Sequence, residues 1–256
     1  MYFLVFSMIS KEKIKHIKKL HSKKWRIDLW LFLVEGRKMI LELLASDWKE
    51  QIEELYVSEK LFDEIIAISS SLDKGRIVMG GEGILSKIST LESNSDWVAI
   101  VKQKENIYKS WEVKKWILVL DGIRDPWNMG TILRTAAWFW MRDIICSEDS
   151  VEIYNPKVVS ATMWALFHLN ISFENLEVFY NSNTLPVYAW SLNWISMRET
   201  SLPESWVLVM GSESHGISEI SQKYMTQGVL IPKLGYWESL NVWIATWIFL
   251  SHISQS

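Results

Sequence analysis

Short apolar runs closed by polar turns alternate along this chain with stretches whose apolar residues recur every three or four positions. The runs predict buried strands, and the spaced stretches predict amphipathic helices. Leu31–Val34, followed by Glu35 and Gly36, reads as the first strand, and further strands are expected at 54–57, 76–79 and 98–101. Helices are expected between them at 37–44 and 61–68, with a helical turn at 84–89. Ahead of the first strand, Ile14, Ile17 and Leu20 recur at helical spacing, which predicts one helix over 11–26 with a single apolar stripe. The glycines at 80, 81 and 83 lack the spacing of a dinucleotide fingerprint and read as a plain turn.

Residues 102–115 are polar and charged and read as a linker, after which the alternation restarts. Strands are expected at 117–120, 143–146, 187–190, 206–210 and 228–231, and helices at 129–139, 156–166, 217–223 and 239–253. This pattern predicts an α/β protein with a small domain over 1–101, a linker over 102–115 and a larger domain over 116–256.

Composition narrows the function classes. With 49% apolar and 22% charged residues in a chain of 256, a sizeable core is expected. A formal net charge of −3 supplies no global basic field, so affinity for nucleic acid requires a local patch. The segment 11–26 offers one: Lys15, Lys18, Lys19, Lys23, Lys24 and Arg26 predict a phosphate-contacting face, with a solvated helix surface as the plainer alternative. Cys146 is the single cysteine, which excludes an internal disulfide and suits a reducing cytoplasm. The histidines show no metal-ligand spacing, so no metal is expected. The start, Met1–Ser10, is apolar but short and lacks a basic leader, which argues against a signal peptide, and Met8 is a second candidate start. The longest apolar run, Val242–Leu250, is too short to span a bilayer.

Three segments carry the chemistry. Residues 121–136 run Asp-Gly-Ile-Arg-Asp-Pro-Trp-Asn-Met-Gly-Thr-Ile-Leu-Arg-Thr-Ala, so a strand passes through a polar loop into a helix opening near Asn128, with Arg134 in its second turn. That puts an amide and a cation at the C-terminal edge of a sheet, where α/β proteins build sites. A buried strand then ends in Met210-Gly211-Ser212-Glu213-Ser214-His215-Gly216, where glycines let a ligand approach the backbone. Finally Ile231-Pro232 is followed by Glu238-Ser239-Leu240-Asn241, with Ser239 a natural N-cap for the closing helix and Asn241 expected in its first turn.

In order and spacing, these segments resemble the three motifs of the SpoU (TrmH-like) RNA ribose 2′-O-methyltransferases of the SPOUT class, over roughly 117–250. Tyr154 to Leu166 looks like the family's segment between the first two motifs, and the first 100 residues resemble, less specifically, its small substrate-binding domain. The resemblance implies a C-terminal parallel-sheet domain tied in a trefoil knot, a homodimer paired through that domain, S-adenosylmethionine as cofactor, and structured RNA, ribosomal or transfer, as substrate, the two-domain layout leaning toward ribosomal RNA. By motif, Met210, Gly211, Ser212, Glu213, Ile231, Pro232, Ser239 and Leu240 would hold the cofactor, and Arg134 would activate the ribose hydroxyl with Asn128, Glu213, Ser239 and Asn241 around it. Arg124, in the first loop, would meet RNA with the basic segment. Arginine holds its proton too tightly to be a general base. Either an RNA phosphate helps take the proton, or Arg134 stabilises the developing alkoxide.

The chain departs from the family in its 16 tryptophans. Where the family has glycine it has Trp127, and where the family has small residues it has Trp140, Trp164, Trp194, Trp237, Trp243 and Trp247. Bulk at such positions predicts strain wherever φ is positive, and overpacking at about 1–3 kcal/mol per core site. Two readings follow. The chain is an altered or redesigned methyltransferase repacked around tryptophan, or some of these rings stack on RNA bases. The alternative function is an impaired RNA-binding dimer on the same fold, its cofactor pocket obstructed by tryptophan.

Overall fold

The computed structural model of the protein describes residues 9–68, 72–80, 83–91, 96–104, 116–200, 202–212, 215–236 and 239–254. In chain order its elements are α1 (Lys11–Lys19), α2 (Lys23–Leu29), β1 (Leu31–Glu35), α3 (Arg37–Ala45), β2 (Ile52–Ser58), α4 (Phe62–Ile68), β3 (Ile77–Gly80), α5 (Ile84–Ile88) and β4 (Trp97–Lys102). There follow β5 (Trp116–Asp121), α6 (Pro126–Trp138), β6 (Asp143–Ser147), α7 (Pro156–Thr162), β7 (Asn170–Glu174), α8 (Leu176–Ser182), β8 (Val187–Ser196), β9 (Trp206–Gly211), α9 (Glu219–Tyr224), β10 (Gln227–Leu230) and α10 (Val242–Ile253). They form two compact units, one of Met1–Lys104 with Tyr154–Phe167 and the other of Glu105–Ile153 with His168–Ser256.

In the first unit the sheet order is β1-β4-β2-β3, with β4 antiparallel to β1 and β2, and β3 parallel to β2. Phe32, Tyr56 and Trp97 are the bulkiest of its fully buried side chains. Glu35, at the end of β1, accepts hydrogen bonds from the Thr90 amide and from the Ser89 and Thr90 hydroxyls. Those bonds satisfy a carboxylate that is otherwise costly to bury.

The single basic helix expected over 11–26 is instead two. Ser10 caps α1 by accepting from the Lys13 amide, the chain breaks over 20–22, and α2 starts after Ser22. Leu20 is buried at the break, and Arg26 turns inward to donate from Nη1 to the Leu20 carbonyl at 2.7 Å. A helix end leaves carbonyls without intrahelical partners, and this guanidinium satisfies one of them. Arg26 is 2% exposed and is therefore removed from the expected RNA-contacting face. Lys15, Lys18, Lys23 and Lys24 stay exposed, and Lys19 lies 4.3 Å from the centre of the Trp25 ring.

The second unit has a sheet in the order β10-β8-β9-β5-β6-β7, parallel at every pairing. Ile117, Val119, Val207 and Val209 sit in its buried core, as near-continuous apolar strands of a parallel sheet should. Three differences from the sequence pattern have physical causes. β7 and α8 were not expected, because β7 is an edge strand buried only at its centre and α8 is short and half polar. α6 starts at Pro126, capped by Asp125, which places Arg134 in its third turn rather than its second. α10 starts at Val242, and its cap is Asn241 rather than Ser239, the Asn241 side chain accepting from the Trp243 amide at 2.9 Å.

Three of the tryptophans expected to overpack the core stand exposed instead, while Trp164 and Trp243 are half-buried. Trp127, Trp140 and Trp247 are 55%, 68% and 45% exposed, and Trp127 stands in the first turn of α6 without a positive φ. Trp194 has no described side chain, and Trp237 lies outside the described residues. Strain at positive φ falls on one of the expected positions, Trp140, and on Trp30, which was not among them. Trp30 (φ 57°) ends α2 and Trp140 (φ 59°) follows α6, both in the left-handed region that terminates helices and favours glycine. A side chain there costs about 1–2 kcal/mol. We expect Trp30→Gly and Trp140→Gly each to raise the melting temperature by about 2–4 °C, scaled to roughly 1 kcal/mol of relief; thermal denaturation showing a fall for both would remove the assignment of strain.

Candidate active site

In register, Asp121 pairs with Gly211, so β5 and β9 end at the same level and their loops emerge side by side. After β9, the chain turns back on itself through mutual Ser212–Gly216 backbone bonds of 2.9 Å, with Gly216 at φ 67°. Gly211 admits no side chain, because a Cβ would lie 2.2 Å from the Gly216 backbone. Glycine here is a steric requirement of the turn.

After β5, the loop is held by hydroxyls from the end of β6. The Gly122 amide donates to Ser147 Oγ at 2.8 Å, and the Ile123 amide donates to Ser150 Oγ at 3.1 Å. Ser147 Oγ also donates to Asp149 Oδ1, and Arg124 Nη2 meets Asp149 Oδ2, both at 2.7 Å. Those two bonds hold the Asp149 carboxyl below its usual range, the Ser147 bond contributing most. Asp149 is therefore charged at neutral pH, where it fixes the Arg124 fork at the mouth of the loop.

α6 then opens with Asp125 accepting from the Asn128 amide at 2.8 Å. Asn128 is nearly buried, and its Oδ1 accepts from Asn241 Nδ2 at 3.2 Å. This bond joins the first turn of α6 to the cap of α10, two helices that also pack Phe139 on Trp247 at 5.4 Å. Residues 113 apart in sequence thus share one polar contact.

A cavity of about 340 Å³ opens here, walled by the loops after β5 and β9, with Ser212 and His215 in the latter, by Asn128 of α6, by Asp149 after β6 and by Val242 of α10. Its size falls within the range of small-molecule sites. Asp121, Asp125 and Asp149 bring carboxylates to its wall, and Arg124 a guanidinium paired with Asp149. A larger cavity, about 570 Å³, lies at the other end of the strands, where Trp116 and Trp206 begin β5 and β9. Parallel sheets bind ligands outside the carboxyl ends of their strands, so the smaller cavity is the candidate.

The expected residues are only partly gathered. Asn128 and Ser212 line the cavity and Asn241 touches Asn128. Met210 and Gly211 are buried at the end of β9. Ile231, Pro232, Ser239 and Leu240 lie near the surface after β10 and before α10, outside the cavity wall. Arg134 is exposed on α6, also outside it. Glu213 lies outside the described residues. Among the described residues no tryptophan lines the cavity. His215, Asp149 and Asp121 also line the cavity, and the sequence pattern did not single them out. The signal for Asp149 was weak, since only the fold brings the end of β6 beside the loop after β5.

Comparisons with known proteins identify the family. The SpoU rRNA Methylase family matches residues 115–251, and the MRM3-like substrate binding domain matches residues 11–99. A Bacillus subtilis (strain 168) protein named 23S rRNA (guanosine(2553)-2'-O)-methyltransferase RlmP is 28% identical, over 94% of this chain and 96% of its own. A Neisseria meningitidis serogroup B protein named 23S rRNA (guanosine-2'-O-)-methyltransferase RlmB is 26% identical, over 86% of this chain and 88% of its own. A solved structure described as AdoMet bound rRNA methyltransferase from Sinorhizobium meliloti superposes with a TM-score of 0.84 at 26% identity, covering 98% of this chain and 97% of that one. The family match takes in both strand-end loops and the first turns of α6 and α10, and on that match the chain belongs to the SpoU rRNA methylase family.

Proposed function

We propose that this chain is an RNA 2′-O-methyltransferase that moves the methyl group of S-adenosylmethionine to a ribose 2′-hydroxyl of ribosomal RNA. The observation that carries the reading is the convergence of the loops after β5 and β9 and the start of α10 on one cavity, joined by the Asn128–Asn241 bond. Both named relatives act on guanosine of 23S ribosomal RNA by their names, which makes that the first substrate to test.

When bound, S-adenosylmethionine supplies a methyl group on an electron-poor sulfur, so the hard chemistry belongs to the cofactor. The chain's own part is placement and charge. The Gly211 turn, with Met210, Ser212 and Glu213, and the segments Ile231–Pro232 and Ser239–Leu240 form the cofactor's cradle in this reading. Asn128 and Asn241, fixed on each other, orient the ribose. Arg134 carries a permanent charge on the same helix as Asn128 and stabilises the oxygen as it loses its proton. Lys15, Lys18, Lys19, Lys23 and Lys24 hold RNA phosphates, and Arg124 meets the RNA beside the cavity. The match of residues 11–99 to a substrate-binding domain supports that division of labour. The reading includes the trefoil knot, a homodimer paired through the second unit, and work in the cytoplasm.

Three outcomes are expected. With labelled S-adenosylmethionine, the protein methylates ribosomal RNA and leaves transfer RNA unlabelled, and mapping finds the mark on a ribose; label on transfer RNA alone would redirect the substrate assignment. Arg134→Ala lowers kcat by about 10²–10³ with little change in the cofactor KM, as for loss of one transition-state charge contact. A parent-like rate removes Arg134 from the mechanism. Replacing Lys23 and Lys24 with alanine weakens RNA binding and lowers the salt-dependence slope by about one per lost phosphate contact. An unchanged slope in filter binding across salt concentrations would assign these lysines to solvent.

A further inference from the structure

We propose that Asp121 is a positioning residue: its buried carboxylate locks the 211–218 loop in the shape that binds the cofactor. Asp121 closes β5 and is 5% exposed. Its Oδ2 accepts from the Ser218 amide at 2.7 Å and from Ser221 Oγ at 2.6 Å. Ser221 is fully buried and in turn lies 2.9 Å from the Tyr180 hydroxyl. Because Ser221 gives its proton to the carboxylate, Tyr180 donates to Ser221, and a chain of donors runs from α8 through α9 to the end of β5. Burial raises the Tyr180 pKa, so this donor keeps its proton across the working range.

The geometry gives the network a task beyond holding the fold. Ser218 ends the loop that begins at Gly211, and Ser212, Gly216, Ser218 and Asp121 all line the candidate cavity. One end of the loop is fixed by strand pairing of Gly211 with Asp121, and the other by hydrogen bonds to the same residue. Both ends of the turn are thus referred to a single residue. A loop held in its binding shape before the ligand arrives spends less binding energy on ordering, so loss of the anchor weakens cofactor binding more than it slows the chemical step.

The inference rests on the assignment of the 210–213 turn to the cofactor. The experiment is titration of S-adenosylhomocysteine into the parent, Asp121→Ala, Asp121→Asn and Ser221→Ala proteins, with steady-state kinetics and melting curves alongside. Asp121→Ala is expected to weaken binding and raise the cofactor KM by about tenfold or more, with a smaller fall in kcat. Asp121→Asn, which keeps an acceptor oxygen, recovers part of the loss. Ser221→Ala shows a smaller effect of the same kind and serves if Asp121→Ala does not fold. Parent-like affinity in folded variants that merely melt earlier would overturn the positioning role. No binding by the parent protein would instead overturn the proposed function.

A second, independent observation concerns tryptophan itself. This chain has 16 tryptophans and 11 glycines, although glycine ordinarily makes up about 7% of residues. Trp30 and Trp140 occupy left-handed helix ends, and Trp30, Trp127, Trp140 and Trp247 are each 45% exposed or more. At 30 and 140 a large ring stands where the backbone favours glycine, and Trp140 has the Arg142 guanidinium 4.4 Å from its ring. We infer that the chain made in its own cells carries glycine at positions 30 and 140, through a codon that is written here as tryptophan and read there as glycine. One difference in decoding covers all such positions together, where separate substitutions would each need its own reason. Peptide mass spectrometry of the protein purified from its source tests this: glycine at both positions is expected, and tryptophan at either overturns it.

Discussion

Parallel pairing of β5 with β9 is the constraint on which the site depends. Once Leu120 is set against Met210 and Asp121 against Gly211, both strands end on one line and their loops face a common space. Both strands are almost wholly apolar and, apart from the exposed Trp116 that begins β5, buried, so slipping the register would pull core residues out of the sheet. The hydrophobic core thereby fixes the spacing of polar groups that share none of its chemistry. The same pairing also explains why glycine is required at 211, since the returning Gly216 backbone lies against it.

Around this pair the polar groups form closed sets. Ser147, Ser150 and Asp149 satisfy the loop after β5, Asp121 satisfies the start of α9, and Asn128 and Asn241 satisfy each other. These donors near the cavity therefore have fixed partners, which suits a site that must align two reacting groups rather than supply a strong acid or base. Arg134 differs from the rest: it stands exposed on α6, a cation on the outer side of the helix whose first turn builds the cavity.

The first unit shows how far charge pattern misleads. Its basic segment reads as one continuous face, yet Arg26 is taken up in ending α1 and only the lysines remain at the surface. An arginine can complete a helix end from inside because its fork reaches an open carbonyl, whereas the lysines keep their heads in water. The tryptophans mislead in the opposite sense. They suggest an overfilled core, but the rings at 127, 140 and 247 turn outward, and the strain lies in the backbone at 30 and 140.

The sequence alone determined the alternation of strands and helices, the three motif loops and the family they resemble, because buried strands, glycine turns and helix caps are local in their demands. Asn128 and Gly211 were legible for that reason. It missed β7 and α8, whose short half-polar runs carry little periodicity, and it capped α10 at Ser239 because serine is as good a local cap as asparagine. Only the tertiary structure decided in favour of Asn241, through its contact with Asn128 on another helix. Tertiary structure alone also assigned Asp121 to Ser218 and Ser221. Such partners are chosen by the folding of distant strands into one sheet, and no local pattern records them.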